Sequence, residues 1–110
     1  MEIAKIVVTD LIMAGGLLQE EGYDLEQSAD NLADLKWQII KDYLQEHYPE
    51  VEVYADIAIQ QADEGKRPLE VLAFNAEGER MQEVCAQMQR TLSQLIAEAS
   101  ANKAWAVRRQ

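Results

Sequence analysis

Residues 2–9 read EIAKIVVT, and the fold turns on whether they form a strand or a helix. The stretch is rich in β-branched residues, which fit a pleated surface. Both of its alternating sets carry apolar side chains, as in a strand covered on both faces. A continuous apolar run also fits a buried helix, so the neighbouring segments have to decide. Residues 51–60 (VEVYADIAIQ) alternate without a break. Val51, Val53, Ala55, Ile57 and Ile59 point one way; Glu52, Tyr54, Asp56, Ala58 and Gln60 point the other. That is a half-buried strand suited to a sheet edge. Residues 61–68 (QADEGKRP) read as a turn. A third strand, LEVLAFN (69–75), follows and is expected to run antiparallel to the second, with Leu69, Val71 and Ala73 on one face and Glu70, Leu72 and Phe74 on the other.

Two helical patterns separate and follow these strands. Over 25–48, Leu25, Ala29, Leu32, Ile39, Ile40, Tyr43 and His47 share one face at 100° per residue, with Lys36 inside the same arc. Asp24 is placed to cap this helix, with Gln27 as the returning partner of a capping box. Pro49 ends it, because a residue before proline disfavours the helical region. From 79 to 102, Met81, Cys85, Met88, Leu92, Leu95 and Ala99 step by fours and threes into a heptad-like seam, with Val84 and Ile96 beside it. The order is strand, helix, strand, strand, helix. This predicts an α+β, two-layer βαββα domain: a small mixed three-stranded sheet with both helices on one face. A right-handed crossover makes the first two strands parallel. Residues 1–110 form one domain, with 105–110 read as a tail.

That packing leaves two mismatches. A final helix of about 36 Å is longer than a strand of about 23 Å, so it should overhang the sheet through Leu95, Ala99 and Trp105. The other sheet face, with Leu72 and Phe74, is left uncovered. Either residues 11–18 (LIMAGGLL) fold over it, or a second subunit does; a two-fold homodimer is expected.

Composition bounds the function. An apolar fraction of 48% and a charged fraction of 27% describe a folded chain. No run reaches the roughly 20 apolar residues that span a bilayer, so no membrane association is expected. The start MEIAKIVV lacks the basic region and cleavage site of a signal peptide. Cys85 is the single cysteine, which excludes an internal disulfide and fits a cytoplasmic setting. The formal charge is −10, unevenly spread: residues 1–34 hold eight acids and one base, residues 78–110 five bases and three acids. Direct nucleic-acid binding is therefore not expected, since it needs cations that displace phosphate counterions. A basic protein surface is the better partner.

The stretch MAGGLLQEEGYD (13–24) looks at first like a phosphate cradle. It matches neither a dinucleotide-binding nor a P-loop pattern. Glu20, Glu21, Asp24 and Glu26 would repel an anion from the helix start. Gly15 and Gly16 read instead as a joint. The acids Glu20, Glu21, Asp24, Glu26, Asp30 and Asp34 form the candidate partner-binding face. Lys36, Tyr43 and His47 form a candidate pocket, in which a desolvated lysine could anchor an anion and His47 with Tyr43 could move a proton. Against these stand plainer roles: Lys36 laying its stem on the core, and His47 facing the dipole of a helix end. Trp37 falls on the helix flank, as core edge or partner anchor. Cys85 reads as a small buried hydrophobe. No cofactor or metal is expected. One His and one Cys do not make a zinc site. The calcium-like spacing of Asp24, Glu26, Ser28 and Asp30 has Ala29 and Leu35 where that loop needs Gly and Glu.

From Lys36 on, an amphipathic helix ending in HYP, an alternating strand, the short strand LEVLAF and a long last helix followed by Trp105 resemble the DinI-like family of small acidic regulators of recombinase filaments. The likeness is one of element order over about two-thirds of the chain, and the basic VRRQ ending departs from that family's acidic one. It implies that such an architecture serves protein-binding regulators and transfers no site residue. The leading expectation is a small acidic, non-enzymatic interaction or regulatory protein. The alternatives are a small-molecule binding protein or minor enzyme with a pocket near Lys36, Tyr43 and His47, and a phosphate-mimicking inhibitor of a nucleic-acid enzyme.

Overall fold

The computed structural model describes residues 2–13, 18, 21–60 and 69–109. The elements run β1 (Lys5–Met13), α1 (Leu25–His47), β2 (Glu52–Gln60), β3 (Glu70–Phe74) and α2 (Gln82–Ser100). Of residues 2–9, Lys5–Thr9 belong to a strand, as their β-branched content indicates. The sheet order is β2-β1-β3. β1 pairs in parallel with β2, Ile6 opposite Val53 and Val8 opposite Ala55, and antiparallel with β3, Ile6 opposite Ala73 and Val8 opposite Val71. β3 therefore does run antiparallel to β2, but β1 lies between them. β1, with apolar residues in both alternating sets, is the strand flanked on both sides. No helix among the described residues is long and apolar enough to cross a membrane.

Opposed residues of paired strands share a face, so the register sorts the sheet. Ile6, Val8 and Ile12 of β1 and Val71 and Ala73 of β3 are buried. Ile40 and Leu44 of α1 and Cys85, Met88, Leu92 and Ile96 of α2 close over Ile6, Val8, Val71 and Ala73 in one cluster. Both helices thus meet the same face. A second cluster forms at the other end of β1, where Ile12 packs with Ala29 and Leu32 of α1, and with Trp105 and Ile57 at its margin. On the opposite face Lys5 and Thr9 are exposed, while Val7, Leu11, Leu72 and Phe74 are half-buried. β1 is thus not buried equally on its two faces.

Several expectations need correction. β1 runs four residues past the predicted end at Thr9. Leu11–Met13 continue the strand instead of folding over the sheet, and Ile12 is core on the helix side. The capping box at α1 is half-formed. Asp24 accepts from Gln27 N at 3.0 Å, but its own N–H donates to Val107 O at 2.8 Å and the Gln27 amide reaches Asn31 instead. In α1 the buried line runs through Ser28, Ala29, Leu32, Ile40 and Leu44, leaving His47 exposed. In α2 the seam holds through Leu92 and then shifts: Ile96 is 8% exposed and Leu95 37%. A straight helix drifts about 20° per heptad against a strict seven-residue repeat.

The turn between β3 and α2 is built on Asn75. Its buried side-chain Oδ1 accepts from Glu77 N at 3.1 Å and Glu79 N at 2.9 Å. Gly78 closes the turn at φ +81°, a conformation that strains any residue with a Cβ. Cys85 lies beneath it as a buried free thiol, with Ala73 N donating to its Sγ at 3.1 Å.

Candidate functional site

The first turns of α1 carry the acidic row. Asp24, Glu26, Asp30 and Asp34 are exposed, and Glu21 is exposed just ahead of the helix. Glu20 and the glycine joint at Gly15 and Gly16 lie outside the described residues. The row is not uniform in role. Asp24 is the N-cap and is committed to the helix, whereas Glu26, Asp30 and Asp34 have no such duty. Among the described residues one ion pair forms, and it involves none of these acids. Asp30 and Asp34 stand one turn apart, where like charges repel by a few tenths of a kcal/mol.

Beside this row lies the chain's own C-terminal segment, Trp105–Arg109, which the sequence left as a tail. It returns along the head of α1 as an extended arm. Tyr23 and Arg108 form an antiparallel bridge. Arg109 N donates to Gly22 O at 2.8 Å, closing with the Asp24–Val107 bond the two hydrogen bonds that flank that bridge. Val107 N donates to Ser28 Oγ at 2.9 Å. Asn31 Nδ2 donates to Trp105 O at 3.1 Å, and Arg109 Nε to Tyr23 O at 3.0 Å. The Arg108 guanidinium stacks 4.7 Å over the Tyr23 ring. A basic, extended segment thus meets the acidic end of α1. Ser28, fully buried in the first turn, is the residue that sequence reasoning missed; the signal was a small hydroxyl next to Ala29 on the apolar line.

The three candidate pocket residues do not converge. Lys36 Nζ pairs with Asp10 Oδ2 at 2.8 Å, with the two side chains 15% and 7% exposed. Asp10 sits on the helix-facing set of β1 between Val8 and Ile12 and also accepts from Leu11 N. The lysine is thus neither a free anchor nor a snorkelling stem: it neutralises a carboxylate inside the apolar layer. Tyr43 and His47 stack with ring centroids 4.4 Å apart at the far end of α1. Burial, with Tyr48 nearby, raises the Tyr43 phenol above its ordinary pKa, and a hydrogen bond with Thr91 pulls the other way. Seven residues of helix, about 10 Å, separate Lys36 from Tyr43. A cavity of about 260 Å³ does lie beside α1, but its walls are Trp37, Lys41, Leu44, Gln45, Tyr48, Pro49, Val51 and Val53. Trp37, 41% exposed, stands at its rim.

No group of three or more His, Cys, Asp or Glu side chains among the described residues is placed to hold a metal ion. No known protein family, curated protein or solved structure matches the chain. The likeness in element order to small acidic regulators therefore remains one of architecture.

Proposed function

We propose that the chain is a non-enzymatic binding module, working as a homodimer, that engages a basic protein surface through the acidic row of α1. One observation carries the reading: the exposed acids of α1 have no ionic partners among the described residues, and lie beside a place where the chain already seats an arginine-bearing segment of its own. The arm supports this reading, since it brings extended backbone with cationic side chains to this end of the helix. Glu26, Asp30 and Asp34 extend the same potential along the helix, where attraction between opposite charges raises the encounter rate and sets orientation.

Calorimetric titration with a nona-arginine peptide is the direct test. The expected result is binding that weakens steadily between 0.05 and 0.3 M salt, as screening predicts, and that drops at least tenfold in the Asp30→Lys, Asp34→Lys variant. Asp24 is left intact, because replacing a cap costs about 1 kcal/mol of helix stability. Salt-insensitive binding, or charge reversal without effect, would overturn the reading. Competition by double-stranded DNA for a DNA-binding partner, with no affinity for DNA itself, would select the phosphate-mimic form of the same acidic surface. The small-molecule reading loses support, since Lys36 is held by Asp10 and lies apart from the Tyr43–His47 stack.

A further inference from the structure

We infer that the Trp105–Arg109 arm is exchangeable, and that two copies of the chain pair by each seating its arm against the head of the other's α1. This gives a geometry to the homodimer of the proposed function and rests on that part of the reading alone. Three observations carry it.

First, the arm occupies a built cleft. Backbone bonds to Gly22 and Asp24, the buried Ser28 hydroxyl, the Asn31 amide and the Tyr23 ring all receive it. Trp105 packs against the Ile12, Ala29 and Leu32 cluster, and its indole N–H donates to Ser100 O at 3.0 Å. A second copy's arm is chemically identical, so every one of these contacts can be remade between chains.

Second, the hinge is short and strained. Ala101 is still in the right-handed helical region, with φ −62° and ψ −33°. Lys103 then turns the chain at φ +55°, the one non-glycine residue with positive φ among those described. A left-handed residue with a Cβ is disfavoured. Ala101, Asn102 and Ala104 otherwise continue the composition of α2. Returning Lys103 to the right-handed region lengthens the helix and carries the arm away from its own α1. Strain is therefore present when the arm folds back and is released when it reaches across, the condition under which exchange of a terminal element makes a dimer at low cost.

Third, the magnitudes allow it. A short flexible linker holds an arm against its own site at an effective concentration of about 1 mM. Each released hinge is worth roughly 5- to 30-fold. Two hinges bring the exchange into the range of about 1 to 40 µM.

The Tyr23–Arg108 pair supplies the test. The two bonds that flank it make it a non-hydrogen-bonded antiparallel pair, whose Cα atoms lie about 4.5 Å apart, within reach of a disulfide. The variant Tyr23→Cys, Arg108→Cys is equilibrated at 0.1 and 200 µM, oxidised, and separated without reductant, with Tyr23→Cys alone and Arg108→Cys alone, each beside the native Cys85, as controls. Covalent dimer should predominate at 200 µM and intrachain cross-link at 0.1 µM. Adding Lys103→Gly, which removes the strain, should cut the dimer fraction several-fold at the same concentration. Light scattering of the unmodified chain should show dimer at 200 µM. Intrachain cross-link alone at both concentrations overturns the inference. So does a dimer by light scattering that gives no interchain cross-link, since the copies would then meet elsewhere. Nona-arginine binding does not enter this readout, so failure of exchange and failure of the acidic-row reading are separable.

Discussion

Asp10 and Lys36 show how a single residue changes meaning once its neighbour across the fold is known. In the sequence, Lys36 is a charge on an apolar arc, and Asp10 an acid at the end of an apolar run. The alternation of β1 places Asp10 on the face that α1 covers, and there the two groups meet at 2.8 Å. An ion pair so little exposed adds little net stability over apolar residues of equal size, but removing one partner strands the other charge. Lys36→Met should therefore lower unfolding free energy by about 3–5 kcal/mol, read by urea denaturation. The double change Lys36→Met, Asp10→Leu should return to within about 1 kcal/mol of the parent. Equal losses in the single and double variants would mean that the pair is not coupled. Ser28 carries a smaller effect. Ser28→Ala removes the acceptor for Val107 N and should cost about 1 kcal/mol, with the Val107 amide exchanging its hydrogen faster than the amides of β1. Unchanged exchange at Val107 would show that this bond does not hold the arm.

At the scale of elements, periodicity located both helices and all three strands, because each buries one face and exposes the other. Strand adjacency was not legible. Nothing in the alternation of β2 or β3 says that β1 comes between them, since pairing joins segments distant in sequence. A doubly apolar pattern does not decide it either, since the edge strand β3 has Val71 and Ala73 on one set and Leu72 and Phe74 on the other. The α2 seam shows a finer limit. Heptad spacing selects Leu95, whereas the geometry of a straight helix selects Ile96. Ile96→Ala should cost about 2–4 kcal/mol, and Leu95→Gln less than about 0.5 kcal/mol, in thermal or urea unfolding. A reversed order would restore the heptad seam and the partner helix it implies. The length mismatch behind the expected overhang is absent: the 19 residues of α2 span about 28 Å and the 9 of β1 about 30 Å, so Leu95 and Ala99 are exposed by the face of α2 that they occupy. Beyond α2 the chain folds back through Trp105 to the second cluster, a long-range closure that local pattern does not encode.

For the whole molecule, the acidic row was legible as composition, but its intramolecular neighbour was not, because residues 22–24 and 107–109 come together only through the fold. The chain carries a formal charge of −10, and among the described residues a single ion pair offsets repulsion at short range. Compaction brings these acids closer than they stand in the unfolded chain, so the electrostatic balance opposes folding at low ionic strength. Screening length falls from about 30 Å at 0.01 M salt to about 8 Å at 0.15 M. The melting temperature should therefore rise by several degrees across that range in sodium chloride. The Asp30→Lys, Asp34→Lys variant should show a flatter response, since it moves the net charge from −10 to −6. Truncation after Lys103 should show a steeper one, because it removes Arg108 and Arg109 from the acidic end of α1. A melting temperature that falls with salt would mean instead that attraction between arm and row outweighs the repulsion of the remaining acids. The acidic row would then be satisfied within the chain, and no longer offered to a partner.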